Sequence, residues 1–260
     1  MSWSPLGTQF CLELAFGTLL AMAFVPRAPV GVLFYRIMGT TALLLLLVAL
    51  AAPIYAGQTT WGSMQSIAIA AGVLAFPVYS GPVRGARWAL GLGVALLGSA
   101  VALVGLLAEV LTVEGPLGLL LASATSLTTG TVTGSVGLAM VLGHWYLTIP
   151  NLSIDHLRRL NRVCVVSMLV SVTLLVVSCL TFGAGSEAAA ALWRPMGLFF
   201  LATRLSVGLL LPLIFAWMTS SSLRYGNTRS ATGILYASTV LVLIGAAVSV
   251  ALQDSYGIPL

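Results

Sequence analysis

Apolar stretches of about twenty residues, nearly free of charge, follow one another along the whole chain, and this most constrains what it can fold into. Crossing a hydrocarbon core of about 30 Å takes roughly 20 helical residues. Eight such stretches are present, at about 9–25, 31–52, 65–81, 88–112, 117–149, 162–183, 195–218 and 230–252. Lipid offers no partner to a backbone amide, so each stretch has to satisfy its own and is read as a helix. Composition agrees: 7% of the 260 residues are charged and 59% are hydrophobic, with mean hydropathy +1.08. A soluble domain carries about a quarter charged residues. The expected fold class is an all-α polytopic membrane protein of about eight transmembrane helices, one integral-membrane domain over 1–260 whose first partner is the lipid bilayer.

The net charge of +5 does not point to nucleic acid. All eleven basic residues are Arg, and most of them sit at or near short connections rather than on one face. Arg27, Arg36, Arg84, Arg87, Arg158, Arg159, Arg162, Arg224 and Arg229 fall on one side of an eight-span chain, which the positive-inside rule makes cytoplasmic. Glu109, Glu114, Glu187 and Asp254 fall on the other. The expected location is a bacterial-type inner (plasma) membrane, multi-pass, with both termini non-cytoplasmic. MSWSPLGTQF has no basic n-region and no small-residue cleavage site, so the first span is read as retained. Cys11, Cys164 and Cys179 lack metal-ligand spacing and are read as small buried hydrophobes; no metal site is expected.

Connections of at most about a dozen residues leave no room for a soluble domain. Prolines mark several of them, while Pro77 and Pro212 lie inside spans three and seven, where kinks are expected. Leu20-Ala21-Met22 echoes Leu138-Ala139-Met140, and GVALLGSAVAL from Gly93 echoes VLVLIGAAVSVAL from Val240. Copies four spans apart share an orientation, which suggests two four-helix units, with tandem halves 1–112 and 113–260.

Polar residues inside the spans are the candidates for function. As one straight helix, residues 117–149 are on the order of 50 Å long, so a break or a protrusion is expected. Thr128-Thr129-Gly130-Thr131-Val132-Thr133-Gly134 is the natural place for a break. Thr129, Thr131 and Thr133 there either line a ligand cavity or form a small-residue packing face. His144-Trp145-Tyr146 at the end of that span either receives a quinone headgroup, with imidazole as donor and proton relay, or anchors the helix in an interfacial aromatic belt. Haem ligation by His144 and His156 is disfavoured, because the turn at Pro150 keeps both near the surface and no dry bundle encloses them. Arg204 lies too deep to snorkel and demands a partner, either Glu13 in span one or Glu109 at the end of span four. It serves an anion or proton path, or locks two helices.

Eight spans, two four-helix units, minimal loops and the Arg204 to Pro212-Leu213 pattern together resemble the integral-membrane subunits of molybdopterin-type redox complexes, the NrfD, PsrC and DmsC group. The resemblance implies a haem-free, quinone-binding anchor with no covalent cofactor, working with other membrane or peripheral electron-transfer subunits. Two other classes compete with it: a small-solute transporter or channel built around Arg204, and a structural subunit of a membrane assembly. A hydrolytic enzyme is disfavoured, since HExxH is absent and Gly134-Ser135-Val136-Gly137 is too generic for a nucleophile elbow. No catalytic residue is assigned.

Overall fold

The computed structural model of the chain describes residues 3–25, 30–57, 63–81, 85–111, 115–149, 152–183 and 187–259; Arg27, Arg84 and Glu114 lie outside them. The described residues form α1 (Trp3–Ala23), α2 (Val32–Tyr55), α3 (Met64–Leu74), α4 (Phe76–Tyr79), α5 (Ala86–Val110), α6 (Pro116–Thr148) and α7 (Asp155–Phe182). They continue with α8 (Glu187–Leu192), α9 (Pro195–Leu205), a π-helical turn (Ser206–Leu210), α10 (Leu211–Arg224) and α11 (Thr228–Tyr256), with no strand among them. Seven segments are long and apolar enough to cross a membrane: α1, α2, α5, α6, α7, the run from α9 to α10, and α11. The chain is an all-α, multi-pass membrane protein.

Met64–Tyr79 is shorter, roughly 24 Å at 1.5 Å per residue. It nonetheless runs antiparallel along α5: Gln65 lies against Gly105, Ala68 and Gly72 against Gly98, and Val78 against Gly91. Its helix hands over at Ala75, and Pro77 occupies the first turn of α4, where a missing amide costs no helical bond.

Local chemistry sets the helix ends. The Ser63 hydroxyl accepts from the Ser66 amide at the start of α3, and the Asn227 side chain accepts from the Ser230 amide at the start of α11. Pro116 and Pro195 begin α6 and α9, and Gly257 closes α11 in the left-handed conformation, φ 62°.

α6 is the central mast, packed on α1, α7 and α11, while α1 packs also on α2 and α5. The expected break in span five does not occur. α6 is one continuous helix of 33 residues, because its hydroxyls serve their own backbone. Thr131 Oγ1 donates to the Leu127 carbonyl at 2.7 Å, Thr133 Oγ1 to the Thr129 and Gly130 carbonyls at 3.0 Å, and Ser135 Oγ to Val132 at 3.1 Å. Its glycines bring backbones together: a Cβ on Gly17 would lie 1.6 Å from the Gly130 oxygen, and one on Gly134 2.0 Å from the Gly17 carbonyl carbon.

The discontinuity lies in span seven instead, at Ser206–Leu210. Pro212 has no amide to offer the Gly208 carbonyl and its ring crowds that oxygen, and a π turn gives the room. Gly208 also meets α11, where a Cβ on Gly245 would lie 2.3 Å from its Cα. In the other echoed stretch Gly98 meets α3 at Ala68. Ala21, Met22, Leu138 and Ala139 share one core cluster.

Candidate functional site

Polar side chains from five helices converge inside this apolar frame. Glu13 stands about ten residues into α1, and Arg204 about ten residues beyond the start of α9, so both lie roughly 15 Å from their helix starts. They are 1% and 2% exposed. The Arg204 guanidinium Nη2 donates to Thr129 Oγ1 on α6 at 2.7 Å and to Ser171 Oγ on α7 at 3.1 Å. Glu13 Oε1 accepts from Gln9 Nε2 at 3.0 Å, one turn earlier on the same helix. Gln9 Nε2 also reaches Ser126 Oγ at 3.2 Å, and it bonds Gln253 Oε1 near the end of α11.

Gln9 sits early in α1 and Gln253 late in α11, so both chain ends emerge at the same end of the bundle. From that end a polar track leads inward, through Gln9 and Gln253 to Ser126 and Glu13, then to Thr129, Arg204 and Ser171. Glu13 and Arg204 feel each other's charge without direct contact. The ion pair among the described residues is Arg158 with Asp155, at 3.4 Å. Glu13 Oε2 and Arg204 Nε have no hydrogen-bond partner. A buried charge normally gathers every partner it can, and insertion of an Arg at mid-membrane costs about 3 kcal/mol even on lenient scales. Each of the two side chains nonetheless keeps one buried polar atom without a partner.

The other candidates are distributed differently. Thr129 belongs to the Arg204 cluster, while Thr133 is buried and bonded to its own helix. Trp145 Nε1 donates to the Val30 carbonyl at 2.8 Å, and the Tyr146 hydroxyl to the Ser153 carbonyl. Both aromatic donors therefore fasten chain turns. His144 is exposed, with Nδ1 3.4 Å from the Tyr236 hydroxyl. Glu109 accepts from Gln65 Nε2 at 2.6 Å beside a cavity of about 60 Å³, space for about two waters and too small for a quinone ring. Among the described residues no group of three His, Cys, Asp or Glu could hold a metal, and the three cysteines are free.

Thr131 lines a larger opening, a groove of about 570 Å³ between α6 and α7. Thr128, Thr131 and Ser167 give its wall some polarity, Val163, Val166 and Val170 make it apolar, and Arg159 and Arg162 stand at one end. Ser167 is one turn from Ser171, and Thr128 is adjacent to Thr129, so the groove reaches the depth of the Arg204 cluster. Gln9, Ser126, Ser171 and Gln253 were not singled out by sequence reasoning. Gln9 alone carried a local clue, its i, i+4 spacing to Glu13. No protein-family model matches the chain, and no curated protein is similar to it.

Proposed function

We propose that this chain is an integral-membrane subunit of a redox complex, in which the Glu13–Arg204 centre handles protons for a quinone held in the groove between α6 and α7. The observation that carries the reading is the unpaired state of two buried opposite charges at the inner end of a polar track. A simple structural lock would bring the carboxylate and guanidinium into contact, since a bidentate pair is the strongest arrangement open to them. Here neutral hydroxyls hold the guanidinium, and the carboxylate keeps one oxygen unbonded.

A quinone takes up protons along with its electrons. The groove fits such a molecule in size and character: valines for the tail and ring, and the Thr128 hydroxyl with the Arg159 and Arg162 guanidiniums as donors for the carbonyl oxygens. Glu13 would hold and release the proton, Gln9, Gln253 and Ser126 would pass it inward from the end bearing the termini, and Arg204 would keep the site electrostatically balanced. Electrons come from partner subunits, peripheral or membrane-bound. The Arg-rich end faces the cytoplasm of a bacterial-type inner membrane and both termini face away from it.

Photolabelling native membranes with an azidoquinone tests the assignment. Label is expected at 128–131 and 163–170, displaced by excess unlabelled quinone and reduced in Ser167→Leu. Labelling spread over the lipid-facing surface and insensitive to competitor would overturn it. The π turn directly after Arg204 favours a second reading, small-anion transport, because discontinuous helices frame midplane sites. Anion uptake by proteoliposomes that is unchanged in Arg204→Gln would count against that alternative.

A further inference from the structure

At the end of the bundle opposite the termini, a second pocket of about 180 Å³ lies between α7 and α10. Arg158, Arg162 and Arg224 rim it, Asn161 and Ser220 line it with Leu223, and no acidic residue is among the lining set. We infer that this pocket binds a phosphate group, the chemistry shared by an anionic lipid headgroup such as phosphatidylglycerol and by inorganic phosphate. The inference does not rest on the quinone reading, although Arg162 stands between the two sites and lines both.

Three guanidiniums around one opening repel each other unless an anion sits among them, and Arg forks match phosphate oxygens better than any other side chain. The pocket is built as well as charged. Arg158 Nη2 donates to the Leu223 carbonyl at 3.0 Å, which fixes one guanidinium against the last turn of α10. Its ion pair with Asp155 involves side chains 43% and 75% exposed, and such surface pairs contribute little.

The floor supplies a hydroxyl donor. Asn161, 2% exposed, donates through Nδ2 to the Ala216 carbonyl at 2.9 Å and to Ser220 Oγ at 2.7 Å. Ser220 thus receives a proton and keeps its own to donate into the pocket. Asn161 itself is buried and serves to hold Ser220 in place from behind the pocket wall.

The test uses the full chain in two arms. In the first, nanodiscs containing phosphatidylglycerol or only phosphatidylcholine are exchanged into detergent, and lipid retained per protein is counted by native mass spectrometry. In the second, inorganic phosphate is titrated against protein in phosphatidylcholine micelles, with thermal unfolding as readout and chloride as control. Arg162→Gln combined with Arg224→Gln is expected to weaken binding roughly tenfold or more. Arg194→Gln, an exposed charge at the other end, should leave it intact. Ser220→Ala keeps the charge and the fold, and is expected to weaken binding by a smaller factor. Selective retention of phosphatidylglycerol that follows this pattern identifies a lipid headgroup, and stabilisation by inorganic phosphate in the same pattern identifies a free anion. Equal retention of both lipids with no effect of phosphate, or equal losses in Arg194→Gln and the double variant, overturns the inference.

Discussion

Arg204 is held by oxygens that carry no charge, and this decides how its neighbourhood responds to substitution. Removing both hydroxyls in Thr129→Ala with Ser171→Ala leaves a buried guanidinium without its acceptors, with an expected cost of about 3 kcal/mol or more, since bonds to charged groups contribute about 1.5–3 kcal/mol each. Arg204→Met in that background removes the stranded charge and is expected to recover at least about 1 kcal/mol, as replacing a buried charge by an apolar side chain often does. Denaturant titration of these two variants and the unaltered chain in one detergent checks the order. Glu13→Gln preserves shape and an acceptor for Gln9, so stability is expected to stay within about 1 kcal/mol, while quinone-linked proton uptake by vesicles is lost. Normal uptake in that variant would remove Glu13 from the proposed path. Glu13 and Arg204 were legible in the sequence because charge inside an apolar run is conspicuous. Gln9, Ser126 and Gln253 were not, because a neutral polar residue barely disturbs such a run and the Gln9–Gln253 contact spans most of the chain.

At the scale of elements, hydroxyls and glycines in α6 have opposite sensitivities. The Thr133 hydroxyl bonds its own helix, so Thr133→Val orphans no group and is expected to cost less than about 1 kcal/mol. Gly134→Leu drives a side chain into the α1 backbone, with an expected cost of about 3 kcal/mol; the same titration compares them. This ambiguity is also why the sequence left both a break and a packing face open for span five, and the packing face is what forms. A Thr/Gly run reads alike whether its hydroxyls rescue broken backbone or fold back onto an intact helix, and only the neighbouring helix decides. Pro212 did foreshadow an irregularity in span seven, but a proline does not reveal whether the helix will kink or widen into a π turn. The spans themselves were legible because length and hydropathy are properties of a segment alone. The third is the partial exception, a 64–79 segment shorter than the others that runs antiparallel to α5.

For the whole molecule, α1 and α6 join the two ends of the chain into one body through glycine-to-glycine contact, and α11 completes the polar track by closing Gln253 onto Gln9. That clasp has a consequence for how the protein is made. The first helix leaves the ribosome carrying Gln9 and Glu13, yet the residues that satisfy them arrive with α6 and, last of all, with α11. During synthesis α1 is therefore expected to be a poor lipid neighbour until α11 has been made. Nascent chains stopped after Arg224 are expected to remain crosslinkable to the insertion machinery and to be degraded faster than the full chain, which pulse-chase labelling measures. Gln9→Leu with Glu13→Leu should abolish both effects, making early release from the translocon independent of the final helix.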